Sequence, residues 1–174
     1  MKEMLRYGFI LALICTLASA SLTLVYSLTK SRIMAQQDAE EQTSLKEVMP
    51  LGVNFIAIKS GNDIIYYKAY NKNGKFIGAA FKAQAKGYSS DIQTMVGMRQ
   101  DATITAIKIL AQNETPGLGS RVTEPSFAGQ FSNKNIQGLN EVQAITGATI
   151  SSKAVIDSVK KKAEEIRELI KNEK

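Results

Sequence analysis

Apolar residues fill positions 7–28, YGFILALICTLASASLTLVYSL, without a single charge, and Lys2, Arg6, Lys30 and Arg32 flank the run. As a helix, 22 residues cover the roughly 30 Å of a bilayer's hydrocarbon core. Three other readings compete with an anchor. Ala18-Ser19-Ala20 resembles a signal-peptide cleavage site, but Leu22, Leu24, Val25, Tyr26 and Leu28 carry the apolar stretch past it, which favours an uncleaved span. Gly8-Phe9 resembles a prepilin junction, yet Leu13 stands where a pilin-like chain needs glutamate. A lipoprotein needs a small residue before its cysteine, and Ile14 precedes Cys15. Flanking charges are too evenly divided to set the orientation.

Beyond the span the pattern changes twice. Residues 33–48, IMAQQDAEEQTSLKEV, read as a helical stalk that Pro50 and Gly52 end. DIIYYKAY and KFIGAAFKAQAKG flank the turn NKNG and predict a β-hairpin. DIQTMVGMRQ and ATITAIKILAQ predict a second strand pair about Gln100-Asp101, one strand of it buried on both faces because the alternation is imperfect. From Ser151 the period lengthens: Val155, Val159, Ala163, Ile166 and Ile170 fall on one side of a helix of about five turns, with Lys160, Lys161, Glu164, Glu165 and Arg167 on the other. Strands in the middle and helices at the ends predict an α+β fold with a β-meander core and a C-terminal amphipathic helix. The expected organisation is a membrane anchor with its flanks at 1–32, a helical stalk at 33–50 and one domain at 51–174.

Composition narrows the chemistry. The chain has 174 residues, 44% of them hydrophobic, which is ordinary for a folded domain with a core. Its net charge of +6 suggests nucleic acid only until the anchor flanks are set aside, which leaves 18 of the 22 Lys/Arg against 15 of the 16 Asp/Glu. Lys160-Lys161-Lys162 then reads as a solvated helix face, and nucleic-acid binding is not expected. There is no histidine, which removes Ser-His-Asp triads and imidazole acid-base relays. Redox or transfer chemistry here has to come from a cofactor. Cys15 has no partner for a disulfide and lies within the apolar run.

Two loops have the residue types a ligand needs. NETPGLGSR, residues 113–121, follows a predicted strand; Pro116 fixes φ while Gly117 and Gly119 allow close approach, so it reads either as a tight turn or as a loop offering backbone N–H groups. Val122 stands where a dinucleotide fingerprint needs its third glycine, which rejects that motif. ITGATISSKAV, residues 145–155, opens the last helix with four hydroxyls, and Ser151 or Ser152 is placed to cap it. Thr146 and Thr149 are then surplus. A helix N-terminus also stabilises a phosphate, and Gly147 and Ala148 leave room beside the Thr149 hydroxyl, so a cap and a phosphate site both remain open.

Both loops, in this order, resemble the FMN-binding domain family of membrane electron-transport proteins. TGAT matches the end of its flavinylation motif, Asp-x-x-Ser/Thr-Gly-Ala-Thr, and ETPGLG is its companion loop. With KGYSSDIQTMVGM ahead of both loops and the span at the start, nearly the whole chain is similar to the G subunit of Rnf-type ion-translocating electron-transport complexes, a family related to the C subunit of the Na⁺-translocating NADH:quinone reductase. The resemblance implies FMN esterified through its phosphate to Thr149 by a separate Mg²⁺-dependent flavin transferase that uses FAD. It implies Thr146, Gly147 and Ala148 beside the phosphate, and Glu114, Thr115, Gly117, Leu118 and Gly119 along the flavin. Gln143 replaces the motif aspartate, and Gln112 stands where a histidine is often found.

The function implied is electron relay between ferredoxin and NAD⁺ in an ion-translocating complex, with the other membrane proteins of that complex as partners. The implied placement is a single-pass protein of the cytoplasmic membrane with its amino terminus inside and the FMN domain on the outer face. The alternatives are the FMN-carrying component of the quinone reductase, and a membrane-anchored structural or pilin-like protein without a cofactor.

Overall fold

The computed structural model describes residues 2–61 and 63–172, and the chain divides into two compact units, Met1–Glu40 and Glu41–Lys174. Helix α1, Lys2–Val48, runs through the first unit and ends inside the second. Its apolar positions face outward on every side: Phe9, Leu13, Leu17, Leu22, Val25 and Leu28 are all exposed. The most apolar 18-residue stretch has a mean hydropathy of 2.2. Its hydroxyls are satisfied internally, since Thr16, Ser19, Ser21 and Thr23 each donate to the carbonyl four residues earlier at 2.8–2.9 Å. A helix apolar all round, with its polar side chains folded back on its own backbone, suits a single-pass membrane anchor.

In the second unit five strands follow in chain order: β1 Asn54–Ser60, β2 Asp63–Tyr70, β3 Phe76–Lys86, β4 Asp91–Arg99 and β5 Ile104–Ala111. All pair antiparallel with their sequence neighbours, so the predicted meander is present, with one strand more than the two predicted pairs. Asn71–Gly74 makes the expected hairpin turn, the Asn71 side chain accepting the N–H groups of Asn73 and Lys75 at 2.9 Å. The strand buried on both faces is β4, where residues 94–98 are all inaccessible.

Each face of the sheet has its own cover. On one side lie α3, Thr149–Asn172, the short helix α2, Pro125–Ala128, and the 3-10 turns around it. Val155, Val159, Ala163 and Ile166 of α3 meet Phe81, Ile92, Val96 and Met98, and the Phe127–Phe131 edge-to-face pair fills the space beneath. Each fully buried side chain of this size stabilises the fold by about 1.5–3 kcal/mol. On the other side the last turns of α1 bury Leu45 and Val48, with Met49 beyond, against Tyr67, Ala69, Ala80 and Met95. Four polar ties hold that layer: Glu41 accepts from Tyr67 and from Lys82, Glu47 pairs with Lys108 at 2.8 Å, and the Thr105 hydroxyl donates to the Val48 carbonyl at 2.5 Å. The result is an α+β domain of helix, sheet and helix layers.

Candidate functional site

The meander brings three segments distant in sequence to one end of the sheet. They are the β3–β4 turn at 87–90, the loop after β5 at 112–120, and the first turn of α3. Glu114 fastens them together. Its buried carboxylate accepts the N–H groups of Tyr88 at 3.1 Å, Ser89 at 3.0 Å and Ser90 at 2.9 Å, and the Ser151 hydroxyl at 2.5 Å. Two glycines leave the carboxylate its space. A Cβ on Gly87 would lie 2.7 Å from Oε1, and one on Gly119 would lie 2.6 Å from Oε2. Burial pushes the Glu114 carboxyl up, but the bonds from Ser151, Ser90, Ser89 and Tyr88 outweigh it and hold the group below the ordinary glutamate range. Gly119→Ala is therefore expected to cost about 1–3 kcal/mol by crowding, measured by denaturant unfolding.

The backbone of the 113–120 loop follows the tight-turn reading. Gly117, with φ +74, donates to Ser120 Oγ at 3.0 Å, and Leu118 donates to the Thr115 carbonyl at 3.1 Å. These amides are used internally and are not offered to a ligand. What the loop presents is the half-exposed Leu118 side chain, while Gly119 is buried. Gln112 has a local task, accepting the Glu114 N–H at 2.7 Å.

Neither serine caps the last helix. The helix begins at Thr149, two residues earlier than predicted, so Ser151 and Ser152 lie inside its first turn. Ser151 is drawn to Glu114. Ser152 donates back to the Ala148 carbonyl at 2.8 Å and accepts the Ile145 N–H at 3.1 Å, fixing the turn that precedes the helix. In that turn Ala148 N–H reaches Ile145 O at 2.9 Å while Gly147 takes φ +82, a conformation that suits glycine. Among the described residues, the N–H groups of Thr149, Ile150 and Ser151 find no acceptor. Three free amides at the positive end of a 24-residue helix, beside an exposed threonine hydroxyl, fit a phosphate.

These segments enclose a cleft of about 370 Å³, near the lower end of the range for small-molecule sites. Glu114, Thr115, Leu118, Gly119, Gly147, Ala148 and Thr149 line it; Thr146 and Gly117, which the resemblance places at the same cofactor, stand outside the lining. Tyr88, Ile150 and Ser151 line it as well, and sequence reasoning misses all three. Gly-Tyr-Ser-Ser between two strands is the available signal, and only the meander shows where that turn ends up. Gln143, at the aspartate position of the motif, has an exposed side chain. Its backbone is held by Gln130, whose Oε1 accepts the Gln143 N–H at 2.8 Å and whose Nε2 donates to the Gln143 carbonyl at 3.4 Å.

Residues 87–164, which span β4, β5, both glycine-bearing loops and most of α3, match the family described as the FMN-binding domain. Residues 1–48 match a second family, described as the RnfG N-terminal region. The chain belongs to the RnfG family, the G subunits of ion-translocating oxidoreductase complexes. It is 31% identical to the G subunit of the ion-translocating oxidoreductase complex of Methanosarcina acetivorans, over 91% of this chain and 92% of the relative. It is 32% identical to the G subunit of the proton-translocating ferredoxin:NAD(+) oxidoreductase complex of Clostridium ljungdahlii, over 90% and 88%. Among solved structures, the C subunit of the Na(+)-translocating NADH-quinone reductase of Parabacteroides distasonis shares the fold. The TM-score is 0.57 at 16% identity, covering 78% of this chain and 95% of that one.

Proposed function

We propose that this chain is the FMN-carrying member of a membrane complex that passes electrons between ferredoxin and NAD⁺ and couples their flow to ion movement, with the FMN esterified through its phosphate to Thr149. The observation that carries the reading is the exposed Thr149 hydroxyl at the start of α3, with the free amides of residues 149–151 around it. In attachment, Thr149 Oγ1 forms the phosphoester and gives up its proton as AMP is displaced from FAD, a step carried out by a separate Mg²⁺-dependent flavin transferase. The amides and the helix dipole stabilise the ester's remaining negative charge. Glu114 does not oppose it, because its own charge is turned inward onto four donor residues.

A bound flavin supplies one- and two-electron redox chemistry, and the protein tunes it by hydrogen bonds, charge and burial. The absence of histidine suits a protein that carries electrons and leaves acid-base chemistry to others. The domain stands on the outer face of the cytoplasmic membrane, amino terminus inside, beside the other members of the complex. A covalent tether keeps the flavin there, where a lost cofactor would be hard to replace. The names of the relatives favour this complex over the quinone reductase, whose similarity extends only to fold.

Co-expression with a flavin transferase followed by denaturing electrophoresis tests the reading: a fluorescent flavin band is expected, and a dark band of unmodified mass would contradict it. Gln143→Asp restores the acidic motif position without disturbing the Gln130 bonds, which use only the Gln143 backbone. That variant is expected to load flavin faster while its stability stays within about 0.5 kcal/mol of the wild type, followed by flavinylation time course and thermal melting.

A further inference from the structure

Tyr88 is the residue of the cleft whose placement folding does not explain. Its side chain is 70% exposed, while its backbone is tightly held. Its own N–H and the next two all end on Glu114, and the Gly87 N–H bonds the Ser90 carbonyl at 2.7 Å. An exposed aromatic on a loose loop is ordinary; one presented on a fixed stem at the mouth of a cleft is arranged to meet a ligand. Two more exposed apolar side chains line the same cleft from other segments, Leu118 at 50% and Ile150 at 56%. A phosphate needs none of these three. A flat ring with apolar faces does, because an aromatic platform and aliphatic walls cover the faces and leave the polar edges free.

We propose that Tyr88 stacks on the isoalloxazine ring of the flavin held at Thr149, with Leu118 and Ile150 closing the opposite side. The assignment rests on the FMN reading above. Glu114 serves it as a positioning residue: its carboxylate accepts from Tyr88, Ser89, Ser90 and Ser151, which uses its roughly four lone-pair sites and leaves none for the ring.

The test uses the full chain loaded by a flavin transferase, with FMN content verified by mass and flavin fluorescence lifetime measured per loaded chain. A phenol in contact with an excited flavin gives it an electron and takes it back, which quenches emission. Wild-type emission is expected to be several-fold weaker and shorter-lived than that of Tyr88→Leu or Tyr88→Phe. Tyr88→Trp, an equally good electron donor, should remain quenched. Tyr88→Phe keeps the stack and should retain the visible circular dichroism of the flavin, which Tyr88→Leu should lose. Equal lifetimes in loaded wild type and Tyr88→Leu would overturn the stacking assignment alone. A Tyr88→Leu chain that takes no FMN while the wild type does would place Tyr88 in loading and overturn it too. A wild type without FMN would overturn the Thr149 reading, and this assignment with it.

Discussion

Thr149→Ala is expected to fold with wild-type stability and to carry no flavin after denaturation, whereas Thr146→Ala should keep its flavin. The two threonines sit three residues apart on either side of the Gly147 turn, and both are exposed or nearly so at the cleft end of the domain. Only Thr149 lies at the start of α3 and in the cleft lining. On the proposed linkage, loss of its hydroxyl removes the acceptor outright, so covalent flavin should fall to zero. The structure has little else to lose there. Ser151 and Ser152 already fasten the helix start to Glu114 and to the preceding turn, and an exposed substitution of this kind changes stability by no more than about 0.5 kcal/mol. Thermal melting together with flavin fluorescence of the denatured chain separates the two effects. A Thr146→Ala chain that lost the flavin while Thr149→Ala retained it would reverse the assignment.

Glu114→Gln should be the most damaging change in the cleft that leaves size and shape intact. The amide places an N–H₂ where one carboxylate oxygen now accepts. Ser151 can rotate its hydroxyl to suit, but a backbone N–H of the 88–90 turn is left without an acceptor. An orphaned buried donor costs about 1–3 kcal/mol, to be read from denaturant unfolding. Faster hydrogen exchange at the amides of Tyr88, Ser89 and Ser90 should accompany it.

The same carboxylate gives the domain an acid limit. Its folded-state value lies below the ordinary 4.5, so its stabilising share is complete above that value and disappears as the pH falls through the lower folded one. Asp101, Glu124 and Glu141 are shifted the same way by their own partners: the Thr103 amide and hydroxyl, Arg121, and Lys134. The Glu114 share is therefore the difference between the wild-type and Glu114→Gln stability curves. That difference should shrink on acidification and stay constant from neutral pH down to about 5.

Much of this architecture is written in local pattern. The uncharged run at 7–28, the Asn-Gly turn and the long-period face of the last helix each announce an element, because each depends on residues within a few positions of one another. β1, NFIAIKS, escapes such a reading: as an edge strand it is only half buried and lacks a clear alternation. The segment 119–141 consists of short helical turns whose apolar residues, Val122, Phe127, Phe131 and Leu139, follow no period because they fill the space under α3.

The site divides along the same line. Thr149 and the two glycine loops are visible as motifs. The task of Ser151 is not, since a local rule makes a serine near a helix start a cap, and a carboxylate 37 positions earlier takes its hydroxyl instead. Tyr88 joins the cleft only through the pairing of β3 with β4 and of β4 with β5, which no window of sequence displays.

Mass analysis of the tryptic peptide spanning residues 135–153 tests the central claim most directly, because it contains Thr146, Thr149, Ser151 and Ser152 and no other segment of the cleft. From chain loaded by a flavin transferase, the peptide should carry one FMN, with fragmentation placing the added mass on Thr149. An unmodified peptide, or FMN on any of the other three hydroxyls, would contradict it.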